Sequence, residues 1–397
     1  MLMGSAFIFL IGLAMGGLCK RLRMPPLIGM LIAGIVTGPH MLGLLEGGIL
    51  AASAELRQIA LIVILARAGL SLDLTDLKRI GRPAVLMSFV PACFEMTGTI
   101  VLGTLLFGLP LLDAAILAVV VASASPAVIV PRMIKLMDEG YGVKKNIPQL
   151  ILAGDSVDDV FNIVVFYALL GIANGEGASV WQFAAVPVSI LTGAVGGFAV
   201  GSGLAFVMKR VPMRHTAKAV VLLAVALLLA AIEEVLPSVL PYSGLLAVMA
   251  MGVAVLHAAP KAAGVVSAKL SKLWVGAEVM LFVLVGASVD ITYAAGAGGK
   301  TLILLALVLA ARAVGIQLCL LKTPLNGKER LFCAFTGIPK ATVQAAIGGI
   351  PLAMGLSSGN LILSVAVVAI LVTAPVGAYV LDASYKRLLT QKEGSEI

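Results

Sequence analysis

The sequence predicts an all-α polytopic membrane protein with about 13 transmembrane helices. Of its 397 residues, 60% are hydrophobic and only 12% are charged, whereas a typical soluble domain has about 45–50% apolar and about 25% charged residues. The mean hydropathy is +1.10. Aromatic residues make up 5% of the chain, and no segment alternates polar and apolar residues as the strands of an outer-membrane barrel do. Helices must therefore make the crossings.

Apolar runs of about 20 residues, the length needed to cross a bilayer, recur along the whole chain. The first run is followed by Lys20 and Arg21 and has no small-residue cleavage site, so we expect a retained helix rather than a signal peptide. Residues 1–397 are thus predicted to be one integral membrane unit without a soluble domain. The runs cover residues 4–19, 25–44, 56–72, 83–108, 111–131, 147–173, 179–208, 217–232, 238–257, 273–290, 301–321, 331–355 and 358–381.

The positions of the lysines and arginines predict an orientation. When the connections are assigned alternately to the two sides, seven of them hold 23 of the 28 basic residues and the opposite connections hold two. Because cytoplasmic connections carry the excess of Lys and Arg, we expect a multi-pass protein of the cell membrane with its N-terminus outside and its C-terminus in the cytoplasm. The net charge of +8 is explained by these clusters, and no nucleic-acid partner is expected.

The sequence shows no sign of a metal or cofactor site. Cys19, Cys93, Cys319 and Cys333 lie in or at the edge of apolar runs and lack metal-ligand spacing. No nucleotide or cofactor fingerprint is present. We therefore expect no cofactor beyond the ions that the protein would transport.

Three aspartates interrupt the sixth run. Charged side chains inside a span are costly unless they are paired or solvated, and they usually mark a functional site. At helical spacing Asp155 and Asp159 share one face, Asp158 lies beside them, and Asn162 lies one turn beyond Asp158. Three carboxylates this close cannot all stay ionised away from water, so at least one should hold a proton that a cation can displace. This pattern predicts ion exchange, although Asp155 alone is also consistent with a local hydrogen-bonding role.

Two further runs contain proline, in the sequences S-A-S-P-A-V-I-V-P at 123–131 and T-G-I-P-K-A-T-V-Q-A-A at 336–346. Proline breaks a helix, and the freed backbone groups are tolerated in a membrane only where they line a cavity or meet other protein. Pro126 and Pro339 occupy corresponding places in the two halves of the chain. We interpret them as the breaks of two discontinuous helices in an inverted-repeat transporter with its site near the midplane. Simple kinks are the alternative.

Three more charged residues lie within runs. Glu95 and Arg312 each lie one helix before a proline break. Their separation in sequence is nearly the same as that between Pro126 and Pro339. We expect a buried structural ion pair between them. Lys340 directly follows the second break, where its charge can neutralise the negative C-terminal ends of half-helices.

Taken together, these motifs resemble the monovalent cation/proton antiporter superfamily, specifically its sodium/proton exchanger subfamily B branch. The most specific shared motifs are S-V-D-D-V-F at 156–161 and I-P-K-A-T-V-Q-A-A at 338–346. The others are the S-A-S-P motif at 123–131, R-A-G-L-S-L-D at 67–73 and L-F-V-L-V-G-A-S-V-D at 281–290. Together they span most of the chain.

The resemblance implies a fold and an assembly. It implies two crossed broken helices behind the aspartates and a homodimer. In each protomer a core subdomain of about residues 83–173 and 299–383 would carry the ion by an elevator-like shift. A dimerisation subdomain of about residues 1–72 and 179–290 would provide the scaffold.

The resemblance also assigns roles to residues. It makes Asp159 the principal ion and proton carrier and Asp158 the second member of the pair. Two positions depart from relatives: Ser125, which is preceded by Ala124 and followed by Pro126, stands where many have the aspartate of the motif T-D-P, and Asp155 stands where they usually have a small polar residue. The number of titrating carboxylates is therefore left open.

The function predicted is a secondary antiporter that exchanges Na⁺ or Li⁺ for H⁺, not an enzyme. A K⁺/H⁺ antiporter would look almost the same, and a gated cation channel is the remote alternative. An intramembrane aspartyl protease is a disfavoured alternative, because that mechanism needs two aspartates from separate helices whereas these three share one helix. Supporting oxygen ligands for the ion are expected from Ser123, Ser125, Asp155, Ser156 and Asn162.

Overall fold

The computed structural model describes residues 2–22, 24–45, 47–71, 81–173, 180–235 and 242–391. Within them every regular element is a helix, and the only β-type pairing is an isolated bridge between Tyr141 and Gln391. The predicted all-α fold is therefore confirmed.

The helices of the first half of the chain, up to the end of the aspartate helix, include one interrupted by unwound backbone. They are α1 (Leu2–Arg21), α2 (Pro26–Thr37), α3 (Gly47–Ala51), α4 (Ser53–Ser71), α5 (Arg82–Met87), α6 (Val90–Phe107), α7 (Leu111–Ala122), α8 (Pro126–Asp138) and α9 (Ile147–Ala173), with a 3₁₀ turn at Val143–Lys145.

The second half contains the other interrupted helix. Its helices are α10 (Val180–Arg210), α11 (His215–Val235), α12 (Gly244–Ala258), α13 (Pro260–Ala287), α14 (Ile291–Cys319), α15 (Gly327–Thr336), α16 (Thr342–Ile347), α17 (Ile350–Ala353) and α18 (Gly359–Leu388).

Each of the thirteen predicted apolar runs contains a helix. Among the described residues nine helices are long and apolar enough to cross a membrane, and the stretches Pro26–Thr37, Gly244–Ala258 and Thr342–Ala353 are shorter apolar helices. The remaining run contains α4. A multi-pass membrane protein is therefore established, and the count of thirteen crossings stays a prediction.

The chain divides into two compact units. One consists of Met1–Ala54, Asp76–Leu169 and Phe282–Ile397, and the other of Glu55–Thr75 and Leu170–Leu281. The first unit contains all the described polar residues of the candidate site. The functional division into core and dimerisation subdomains stays a prediction.

In the second unit, α10 and α12 pack with their backbones in contact. A Cβ atom added at Gly197 would lie 2.1 Å from the backbone oxygen of Ala247, which is far inside van der Waals contact. Small residues allow such close approach between membrane helices. Glycine at position 197 is therefore required by the packing of this unit.

In the first unit, α15 begins with a complete capping box. The Asn326 side chain accepts a hydrogen bond from the backbone N–H of Glu329, and the Glu329 carboxylate accepts one from the backbone N–H of Asn326. Lys145 Nζ lies 2.7 Å from the same carboxylate. Burial opposes the ionisation of Glu329, but the hydrogen bonds from Lys145 and Asn326 outweigh it and lower the pKa of the carboxyl. This contact anchors the start of the second interrupted helix to the 3₁₀ turn before α9.

Candidate functional site

The two interrupted helices meet at their breaks. The first unwinds over Ser123–Ser125 between α7 and α8, and the second over residues 337–341 between α15 and α16. The backbone N–H of Ser125 donates to the backbone oxygen of Pro339 across 2.9 Å. Proline suits the first position of a new half-helix because it has no N–H to satisfy there, and α8 begins at Pro126. The predicted breaks are therefore present, and they lie in contact.

The C-terminal end of α7 is covered by positive charge. The last carbonyls of a helix have no partner within it and carry partial negative charge. The carbonyl of Ala122 accepts a short hydrogen bond from Arg312 Nη1, and Lys340 Nζ lies 3.4 Å from the same oxygen. Lys340 thus lies at the end of a half-helix, and Arg312 shares that position with it.

Arg312 and Lys340 also bind two buried acids. Arg312 Nη1 lies 3.1 Å from Glu95 Oε2, and its Nη2 lies 2.8 Å from Asp158 Oδ2. Lys340 Nζ lies 2.7 Å from Glu95 Oε2. All four side chains are almost completely buried. The structure therefore brings Glu95 and Arg312 together and extends the expected pair to a network of two cations and two anions.

The Arg312 side chain can extend into this network only because residue 337 is a glycine. A Cβ atom added at Gly337 would lie 3.0 Å from both Cδ and Nε of Arg312 and 2.9 Å from Ile316 Cδ1. Gly337 directly follows α15, so the break provides both the free backbone and the space for the guanidinium.

Asp159 has different surroundings from its neighbour. The hydroxyl of Ser123 donates a short hydrogen bond to Asp159 Oδ1, and no salt bridge to Asp159 is found within the described residues. Its side chain is half-buried. By contrast, the Asp158 carboxylate accepts a hydrogen bond from Arg312 and a second one, at 3.3 Å, from the backbone N–H of Ala124. The two adjacent aspartates therefore differ in charge compensation: Asp158 is neutralised by an arginine, and Asp159 is held by a neutral hydroxyl.

The other expected site residues occupy varied positions. Asp155 is buried on α9, and its Oδ2 has no hydrogen-bond partner among the described residues. Asn162 donates to the backbone oxygen of Asp158 at 2.7 Å, a bond within its own helix. The buried hydroxyl of Ser125 likewise lacks a partner in the described part of the chain. Ser156 lies on α9, and its side chain is outside the described residues.

Gln344 belongs to the motif at 338–346, and the sequence alone predicts no role for it. Its Nε2 donates to the backbone oxygen of Ser123 at 2.8 Å and to that of Val121 at 3.3 Å. The side chain is completely buried on α16. The available signal is a glutamine within a mostly apolar half-helix, because a buried amide must find hydrogen-bond partners.

This arrangement suits an exchange of small cations. Carboxylate oxygens and the free carbonyls of an unwound segment are the groups that bind Na⁺ and H⁺ in transporters with interrupted helices. A half-buried carboxylate that is bound by one neutral donor can hold either a proton or a cation. A carboxylate that is already neutralised by an arginine is stabilised less by binding either a proton or a cation.

Comparison with known proteins identifies the family. A family model described as "Sodium/hydrogen exchanger, transmembrane" matches residues 5–383, nearly the whole chain. The chain belongs to the sodium/hydrogen exchanger family. The resemblance to the monovalent cation/proton antiporter superfamily is thereby confirmed. Members of this family are transporters and not enzymes, and the ions they move are substrates rather than cofactors.

Individual relatives agree with this assignment. The sodium/hydrogen exchanger 9B2 of Mus musculus is 33% identical over 385 residues, which cover 93% of this chain and 69% of the relative. The exchanger 9B2 of Homo sapiens is 33% identical over 408 residues, with 97% of this chain and 74% of the relative covered.

A solved structure has the same fold. The sodium proton antiporter MjNhaP1 from Methanocaldococcus jannaschii at pH 8 superposes with a TM-score of 0.84 and 18% sequence identity, covering 97% of each chain. At this identity the likeness establishes the fold, and the chemistry of the site must be argued from its own residues.

The charge balance of the buried network predicts the order of stability of three variants. Arg312→Ala leaves two acids against Lys340, and an uncompensated buried charge typically costs about 3–5 kcal/mol. Adding Glu95→Gln restores balance, so this double variant should melt above the single variant. Adding Lys340→Met leaves both acids unpaired, so that double variant should melt lowest.

Thermal unfolding of the purified variants in detergent measures this order. Equal melting temperatures for the two double variants would show that charge balance does not stabilise the network.

Proposed function

We propose that the chain is a sodium/proton antiporter that exchanges Na⁺ or Li⁺ for H⁺ by alternating access, with Asp158 and Asp159 as its shared site. The names of its relatives support the exchange of sodium for protons. The single observation that carries the assignment to these residues is the unequal compensation of the two adjacent aspartates.

The unequal charge compensation gives the two carboxylates different roles in the proposed exchange. Asp158 is bound to Arg312, so it contributes a fixed negative charge beside the site and one oxygen, Oδ1, without a hydrogen-bond partner among the described residues. Asp159 has no arginine or lysine on it in the described part of the chain, so its charge must be balanced by a proton or by a transported cation. Each ion then displaces the other, which couples the two fluxes.

The surrounding oxygens complete the proposed site. Ser123 and Ser125 lie in the unwound segment that contacts the second break, where the backbone carbonyls of Ser123 and Ala124 accept no helix hydrogen bond among the described residues. Such carbonyls and hydroxyls can replace part of the hydration shell of a monovalent cation. Asp155, one turn before Asp159 on α9, is buried and adds a third carboxylate to the same region.

We also propose the assembly and orientation indicated by the sequence. The protein would work as a homodimer, with the aspartates in a mobile core subdomain and the remaining helices forming the scaffold. Its N-terminus would lie outside the cell and its C-terminus in the cytoplasm, because basic residues concentrate in one set of connections.

Exchange should depend on the aspartate pair. We expect Asp159→Asn to abolish cation-dependent proton flux, because an amide neither releases a proton to water nor provides the negative charge that would bind the cation in its place. Asp158→Asn should abolish or severely weaken it. The measurement is proton flux in proteoliposomes after separate addition of Na⁺, Li⁺ and K⁺, which also decides between sodium and potassium as the substrate.

Asp113→Asn is the matched control, since Asp113 is a buried acid in the first turn of α7. It should exchange like the wild type. Flux near the wild-type level in a folded Asp159→Asn variant would refute the mechanism.

Apparent cation affinity should weaken as the pH falls, because protons and cations compete for the same carboxylates. The loss should be up to about tenfold per pH unit if one proton competes with one cation. Extra Na⁺ should restore activity at moderately low pH. Asp155→Ser should leave exchange intact and move the pH profile if Asp155 titrates with the pair.

The Michaelis constant for Na⁺, measured between about pH 6 and 9, tests this competition. A constant independent of pH in the wild type would contradict it, and an unchanged profile in Asp155→Ser would assign that residue a local hydrogen-bonding role.

The orientation can be tested by labelling single cysteines after the four native cysteines have been replaced. A cysteine at Gln391 should react with an impermeant maleimide only after the cells are permeabilised, whereas a cysteine at Lys300 should react in intact cells. The reverse pattern would overturn the orientation.

A further inference from the structure

Gln344 is tied to the unwound end of α7 by both of its amide N–H groups. Nε2 lies 2.8 Å from the backbone oxygen of Ser123 and 3.3 Å from that of Val121. Its own Oε1 has no hydrogen-bond partner among the described residues. These two bonds are therefore the polar contacts that orient the side chain.

Gln344 complements the two cations at this helix end. Arg312 and Lys340 donate to the carbonyl of Ala122. Gln344 donates to the carbonyls of the residues on either side of it, Val121 and Ser123. In a buried site each unsatisfied carbonyl costs free energy. A neutral amide satisfies two of them without adding a third positive charge to a network that already has equal numbers of cations and anions.

Ser123 links Gln344 to the carrier carboxylate. Its carbonyl accepts from Gln344, and its hydroxyl donates to Asp159 Oδ1. The hydroxyl also lies 3.2 Å from the carbonyl of Ala124, which gives it a second acceptor. The backbone of an unwound residue is not held by a helix ladder, so the bond from Gln344 restricts where this hydroxyl can point.

We propose that Gln344 is a positioning residue for the exchange, which holds Ser123 so that its hydroxyl stays on Asp159. This inference rests on the proposed antiport at Asp159. Gln344 acts through Ser123 and does not itself touch the carboxylate.

The proposal has a direct consequence for pH dependence. A hydrogen bond donated to an ionised carboxylate favours the charged form, so a well-placed Ser123 hydroxyl lets Asp159 release its proton at lower pH. Other charged groups next to this region are Asp155 and Asp158 on α9, Arg312 on α14, and Glu95 and Lys340 in the network. None of them is altered by substituting Gln344, so a shift in the pH profile would report on the hydrogen bond.

The test compares the pH profile of Na⁺-driven proton flux in proteoliposomes for Gln344→Met, Ser123→Ala and the double variant. Methionine has nearly the length of glutamine and lacks both N–H donors. The matched control is Gln317→Met, because Gln317 Nε2 donates to the backbone oxygen of Arg330 at 3.1 Å and, among the described residues, makes no hydrogen bond to Ser123.

We expect Gln344→Met to move the acidic limit of exchange upward by about one pH unit. Below that limit the Michaelis constant for Na⁺ should rise by up to about tenfold, and the maximal rate at alkaline pH should be retained. Ser123→Ala should cause a shift of the same sign. The double variant should shift no further than Ser123→Ala alone, because the two residues act through one bond. Gln317→Met should not shift.

A profile of Gln344→Met that matches the wild type, or a shift that adds to that of Ser123→Ala, would overturn the proposal. A rate loss at all pH values without a shift would make Gln344 structural only and would overturn it too. If Gln344→Met does not fold, Gln344→Asn replaces it, since this variant keeps the amide and lacks the reach, and the same outcomes apply.

The Asp159→Asn variant separates the two proposals. Exchange retained in Asp159→Asn would refute the antiport at Asp159 itself. Exchange lost in Asp159→Asn with an unshifted Gln344→Met profile would refute only the role of Gln344.

Discussion

The buried positive charge of Arg312 and Lys340 is the interaction on which the polar centre of the first unit depends. Two acids and the carbonyl end of a half-helix lie around these side chains. Each of those groups would be costly to bury alone. The C-terminal end of α7 can be buried because the two cations offset the partial negative charge of its last carbonyls, and Arg312 also forms a salt bridge with Asp158.

In the proposed mechanism the same constraint gives the two adjacent aspartates of α9 different roles, one in stability and one in exchange. Asp158 faces Arg312 and belongs to the network that stabilises the fold, whereas its neighbour Asp159 faces the hydroxyl of Ser123. A charge that is always compensated cannot couple two fluxes. A charge whose compensation must come from the transported ions can do so. In the proposed mechanism Asp159 is such a charge, and it lies next to Asp158, whose charge is compensated by Arg312.

The features that depend on local chemistry, namely the helix breaks and the polar site, could be predicted from the sequence. Pro126 and Pro339 predicted the two breaks, because proline lacks a backbone N–H and interrupts the helix in which it lies. The three aspartates of α9 predicted a polar site in a membrane-spanning helix. The contact of Arg312 with Asp158 and the two bonds of Gln344 were missed. They join residues more than 150 positions apart, so they depend on how four helices pack and on the space left by Gly337. No spacing within one segment encodes that geometry.

The central claim is that proton and cation occupy Asp159 in turn. The most direct measurement is the release of protons when Na⁺ is added to purified protein in weakly buffered detergent solution, followed with a pH indicator. The account predicts that the wild type releases protons as it binds Na⁺ and that Asp159→Asn loses this release. No release from the wild type, or the same release from Asp159→Asn, would contradict it.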